Sequence, residues 1–168
     1  MRLYLLIILP LVLSNILHML IVKRELFSLL NRPLSVALFG QNKTWRGFVV
    51  VMLLNGLLFW LLSMIYHYFS GLRAVETGAI LGFVYMLSEL PNSWMKRRLG
   101  IAPGKKPQRN AWLFALLDKT DSSLGVSLVS ALLFRFDLIE FLQLFTLAVL
   151  THIIFSWLMV FIGVKERF

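Results

Sequence analysis

Apolar residues in this chain come in long blocks, and polar residues are confined to the gaps between them. The first block, Leu3 to Val22, is nearly unbroken for 20 residues between Arg2 and Lys23-Arg24, the length needed to cross a hydrocarbon core of about 30 Å. It lacks the short apolar core and small-x-small cleavage site of a signal peptide, so it is expected to stay in the mature protein. Further blocks run from Phe48 to Phe69, Thr77 to Leu90, Ala111 to Phe134 and Leu138 to Val164. The pattern predicts an all-α integral membrane protein: one polytopic domain with about five transmembrane helices, near 3–22, 48–69, 75–91, 111–134 and 138–164, and two basic loops between them. Pro91 disfavours helical angles at Leu90, so a break is expected there. Residues 25–47 are less apolar, and the cluster Leu26-Phe27-Leu29-Leu30 predicts a short interfacial or re-entrant piece.

Composition agrees: 59% of the residues are hydrophobic and the mean hydropathy is +0.81, more apolar surface than a water-soluble fold could cover. A net charge of +9 could suggest nucleic acid, but the basic residues alternate by loop. Residues 23–47 hold five basic and one acidic residue and 92–109 hold six basic and none acidic, whereas 70–76 and 135–140 show no basic excess. That alternation is membrane topology rather than a nucleic-acid footprint. It predicts a multi-pass cell-membrane protein with both basic loops and the Lys165-Glu166-Arg167 tail in the cytoplasm and the N-terminus outside. The sequon Asn42-Lys43-Thr44 then falls on the cytoplasmic side and is discounted. Without cysteine, any metal must sit on oxygen or imidazole ligands.

The stretch from Ser88 to Gly125 gathers Glu89, Asp118 and Asp121 beside Lys96, Arg97, Arg98, Lys105, Lys106 and Arg109. A carboxylate at the bilayer centre costs roughly 2.5–3.5 kcal/mol, so a fold does not keep three without use. Asp118 and Asp121 share a helical face, where like charges repel unless a cation lies between them. Magnesium, which takes one or two carboxylates together with waters and phosphate oxygens, suits this spacing. In the plainer reading one aspartate pairs with Lys119 and the cations only anchor anionic headgroups. The acids lie about 10–15 Å inside if their helix begins near Ala111, or at the interface if it begins near Asp118. Lys43, Thr44 and Arg46 bring further cations and a hydroxyl to the same predicted side, the parts that phosphoryl and nucleotidyl transfer use. Neither a Walker loop nor a GxGxxG is present. In the first block, Asn15 and His18 share a face and fit an interhelical hydrogen bond.

FGQNKTWRGF, ELPNSWMKRRLGIAPGK and LLDKTDSSLG together resemble the membrane CTP-dependent lipid cytidylyltransferases, in particular the CDP-archaeol synthase family, a relative of phosphatidate cytidylyltransferase. The likeness covers residues 14–125 and extends to the tail from His152. It implies that CTP is joined to a lipid phosphate, phosphatidate or an ether-lipid phosphate, in phospholipid biosynthesis, with release of pyrophosphate and with Mg2+ as cofactor. On the family pattern the substrate-binding residues are Asn15, Lys43, Thr44 and Ser93, with Arg46, Arg98 and Lys105 beside them. Lys96, Arg97, Asp118 and Asp121 are the catalytic set, and Asp118, Asp121 and Glu89 the metal ligands. Two positions depart from the pattern: Ser88-Glu89 stands for a Gly-Asp pair, and Ser156 for an asparagine. A homodimer is left open. Two other classes remain: a non-enzymatic membrane protein whose basic loops bind anionic lipid, and a small transporter that moves protons or cations on its membrane acids. The longer multi-aspartate pattern of the CDP-alcohol phosphotransferases is absent.

Overall fold

The computed structural model describes residues 1–105 and 111–163. Lys106, Arg109 and the 165–167 tail, named above for their charge, lie outside the described residues. Five long helices occupy the five apolar blocks: α1 (Arg2–Lys23), α3 (Trp45–Tyr66), α4 (Gly71–Arg98), α5 (Ala111–Phe134) and α6 (Leu138–Phe161). The short helix α2 (Val36–Phe39) and a 3-10 turn at Ser28–Leu30 lie between the first two. Among the described residues there is no strand, only an isolated bridge between Pro33 and Thr44. α1, α3 and α6 are long and apolar enough to cross a membrane. α4 and α5 are as long or longer, at 28 and 24 residues, but carry the charged cluster within the helix.

Helix α4 departs from the expected break. It continues through Pro91 to Arg98, so the Ser93-Lys96-Arg97 element is helical and does not belong to a loop. The proline ring lies on the exposed side while Asn92 next to it is buried. Hydroxyls on either side bond backward within the helix, Ser88 Oγ to the Val84 carbonyl at 2.8 Å and Ser93 Oγ to the Glu89 carbonyl at 2.9 Å. In a membrane bundle, packing and such hydroxyls keep a proline-containing helix intact.

Small residues set the helix spacings. A Cβ on Gly78 would lie 2.5 Å from Phe59 Cβ, and one on Gly82 2.8 Å from the Val51 carbonyl, so α3 and α4 meet backbone to backbone. Asn55 Nδ2 seals this seam by donating to the Gly78 carbonyl at 2.6 Å. Gly125 does the same for α5 against α4, where a Cβ would lie 1.8 Å from Ser88 Oγ. Without a hydrophobic drive between helices in lipid, such close approach is what holds a bundle together. Leu6, Ile7, Val51, Phe59, Leu81 and Leu144 are fully buried between the helices.

The connector before α3 is a closed loop. Leu34 N–H donates to the Lys43 carbonyl at 2.8 Å and Trp45 N–H to the Arg32 carbonyl at 3.0 Å. Ser35 caps α2 by accepting from Leu38 N–H at 3.3 Å. Gly40, at φ +83°, turns the chain where a Cβ would meet Pro103 Cγ at 2.9 Å, which brings this loop against the segment that follows α4.

Candidate active site

One cavity of about 790 Å³ opens among α1, α4, α5 and α6 and the two loops. Of the residues singled out from the sequence, Asn15, Lys43, Glu89, Ser93, Lys96, Arg97, Lys105, Asp118 and Asp121 all line it. α4 supplies a face at helical spacing, with Asn92, Ser93 and Lys96 three, four and seven residues after Glu89. α5 is helical from Ala111, which sets Asp118 and Asp121 about 10 and 15 Å along its axis from that residue.

Asn92 joins the two aspartates. Its Nδ2 donates to Asp118 Oδ1 at 2.6 Å and to Asp121 Oδ2 at 3.1 Å, while Ser122 N–H donates to Asp121 Oδ1 at 2.6 Å. Asn92 Oδ1 is left buried without a partner. The cation on Asp118 is Lys96 from α4, which also lies 6.0 Å from the centre of the Phe114 ring. The Asp118 side chain is 45% exposed, open toward the cavity.

Glu89, expected among the metal ligands, has a cation partner in the cavity wall. It is paired with Lys43, carried in from the closed loop. Among the described residues, no three His, Cys, Asp or Glu side chains are grouped so as to hold a metal. Glu89 is long enough to reach the loop lysine, which satisfies its charge there. Burial works against the Lys43 charge, but Glu89, with Asp121 and Asp118 behind it, outweighs burial and holds the ammonium above the ordinary lysine range. Lys43 is therefore a fixed cation in the cavity wall.

Three other residues sit apart from the cavity. Arg46 is only 6% exposed and donates through a guanidinium nitrogen to the Leu26 carbonyl at 3.2 Å. α3 begins at Trp45 and turns this side chain inward, where it ties the 25–30 segment to the bundle. Thr44 is the residue preceding α3, in extended conformation, with its side chain making no cap bond. Arg98 points outward and stacks over Trp94, 5.2 Å from the ring centre. Arg97 stays in the wall: it donates to the Ile101 carbonyl, folds the end of α4 back, and keeps a buried Nε without a partner.

Reading the sequence missed Asn92, Tyr85, Ser122 and His152, all of which line the cavity. For Asn92 the signal was its register with Glu89 and Lys96 on one face. For the other three it lay in contacts between distant segments.

Toward the bundle interior the cavity becomes apolar, walled by Ile8, Leu11 and Val12 of α1, Val126 of α5 and Ala148 of α6. α1 and α6 touch at both ends of this wall. Tyr4 donates to Gln143 Oε1 at 3.2 Å at one end, and Lys23 Nζ to the Gly163 carbonyl at 3.2 Å at the other.

Residues 3–167 match the family model described as CarS-like: CDP-archaeol synthase. A curated CDP-archaeol synthase from Pyrococcus furiosus is 34% identical over 68 residues, a stretch that makes up 40% of this chain and 41% of that relative. No solved structure matches the chain.

Proposed function

Because the chain belongs to the CDP-archaeol synthase family, we propose that this integral membrane protein is a CTP-dependent cytidylyltransferase acting on a lipid phosphate. The observation that carries this reading is a cavity with cations and paired carboxylates at one end and bare hydrocarbon walls at the other. A lipid phosphate has that same polarity. Its head would reach the charged end while its chains stay in the groove beside α1 and α6. The name of the Pyrococcus furiosus relative favours an ether-linked isoprenoid lipid phosphate over phosphatidate.

In the proposed reaction a phosphate oxygen of the lipid attacks the α-phosphorus of CTP, and the bond from that phosphorus to the β-phosphate oxygen breaks. Pyrophosphate leaves with the bonding electrons. The lipid phosphate is already an anion at neutral pH, so little base catalysis is needed, and the barrier lies in bringing anions together. Lys43, Lys96, Arg97 and Lys105 line the cavity as the cations that would hold the phosphates, and Ser93 adds a hydroxyl. The donor set fits a hard divalent ion: two carboxylates on one helical face, and the unpartnered Asn92 Oδ1 beside them. Magnesium held by Asp118 and Asp121 would neutralise triphosphate charge and the departing pyrophosphate. Lys96, now paired with Asp118, would turn to the nucleotide. By the positive-inside rule this end of the cavity would face the cytoplasm and the N-terminus would lie outside.

The test is direct. Purified protein in detergent, given CTP, magnesium and a lipid phosphate, is expected to release CDP-lipid and pyrophosphate in equal amounts, and to stop on chelation. Failure to form either product with both ether- and ester-linked lipid phosphates would overturn the assignment.

A further inference from the structure

Interior to the ion cluster the cavity wall carries a second polar band. Asn15 on α1 donates through Nδ2 to the Tyr85 hydroxyl on α4 at 2.8 Å. Ser122 on α5 stands beside that hydroxyl, and its Oγ lies 3.4 Å from His152 Nδ1 on α6. The Tyr85 and His152 rings lie close, with centroids 6.3 Å apart. Four helices thus contribute one residue each, and all four line the cavity. Tyr85 lies about one helical turn, 5.4 Å, inward of Glu89, and Ser122 about one turn inward of Asp118. Beyond the band the wall is apolar, at Ile8, Leu11, Val12 and Ala148.

The band therefore stands between the charges and the hydrocarbon. Polar side chains within a bundle are costly unless bonded, and these are bonded to one another while still facing the cavity. We propose that Asn15, Tyr85, Ser122 and His152 form a specificity subsite for the uncharged linker of the lipid, the glycerol oxygens that join phosphate to chains. This rests on the lipid-phosphate reading above. Ether and ester linker oxygens are acceptors, so the subsite must present donors. Asn15 has a second amide hydrogen. A neutral imidazole carries one ring N–H, so His152, whose Nδ1 lies 3.4 Å from Ser122 Oγ, brings one further donor to the band. One turn is also the scale of a three-carbon glycerol unit, so a phosphate at the ion cluster sets its linker at this level.

The experiment compares a dialkylglycerol phosphate with a simple long-chain alkyl phosphate, which has the head and a chain but no linker oxygens. Wild-type protein is expected to prefer the glycerol lipid in kcat/KM. Tyr85→Phe and His152→Gln should each cut that preference about tenfold, the size expected for one lost hydrogen bond, with KM for CTP unchanged. An equal loss on both lipids, or a rise in KM for CTP, would overturn the subsite. Binding of each lipid without CTP, measured by native mass spectrometry in detergent, supplies a readout that needs no turnover. If wild-type protein binds the glycerol lipid preferentially but makes no CDP-lipid, the enzymatic reading fails and the subsite stands. If it binds both equally, the subsite fails whatever the activity. Using two variants on different helices guards against one that does not fold.

Discussion

Where α3 meets α4, backbone lies against backbone: Gly56, Gly78 and Gly82 leave no room for a Cβ to be added freely, and Asn55 closes the seam with a 2.6 Å bond. Where α1 meets α6, polar contacts at Tyr4–Gln143 and Lys23–Gly163 mark the two ends, and the space between is cavity. The first pair spends its close packing on holding the bundle together. The second keeps its middle open, and the polar groups that a scaffold would exclude are gathered around that opening. The close packing of the α3–α4 seam and the polar groups around the opening rest on different residues, which makes them separable by mutation.

The largest separation is expected from Asp121→Asn. Turnover should fall by about a thousandfold or more, as for loss of a key electrostatic group, while the thermal midpoint in detergent stays within a few degrees. Near wild-type CDP-lipid formation would remove the aspartate pair from the chemistry. On the scaffold side, Gly78→Leu pushes a side chain into Phe59 and the Asn55 carbonyl and should destabilise by about 3 kcal/mol. Size-exclusion profiles and thermal unfolding would register it, and an unaffected midpoint would mean the α3–α4 seam is looser than drawn. Lys96→Ala, at the cavity mouth, should raise KM for CTP about tenfold without loss from the membrane fraction. A change in membrane retention instead would support headgroup anchoring. The smallest effect tests a residue between the two regions: Arg46→Gln should cost about 1 kcal/mol of stability and leave KM for CTP within twofold, because Arg46 bonds Leu26 and does not face the cavity. A large rise in that KM would return Arg46 to the site.

Much of this architecture was legible in the sequence, for a physical reason. Blocks such as Leu3–Val22 are too long and too apolar to be anything but membrane-length helices, and charges inside such blocks are expensive enough to mark function on their own. Local rules failed where packing outweighs them. Pro91 carries a real helix penalty, yet Asn92 beside it is buried against α5, and α4 continues. Arg46 looked equivalent to Lys43 within one basic motif, but the start of α3 at Trp45 sends one side chain inward and leaves the other in the cavity wall. Lys43 from the closed loop meets Glu89 of α4 across 46 positions, a pairing that neither motif shows by itself. The link from Asn15 to Tyr85 spans 70 positions and that from Ser122 to His152 spans 30, and no local pattern encodes such pairings.

The clasp between α1 and α6 also bears on how the protein is made. Its two bonds join residues 139 and 140 positions apart, so α1 waits in the bilayer through synthesis of the other helices with one flank unfilled. The part of the cavity wall that carries Ala148 and His152 does not exist until α6 emerges. A ribosome-bound chain stalled before α6 would already hold the α3–α4 seam and the aspartate pair, but its groove would lie open to surrounding lipid. Competence would then arrive in one late step, and a chain cut short at α5 should insert and persist without ever acquiring a closed substrate groove.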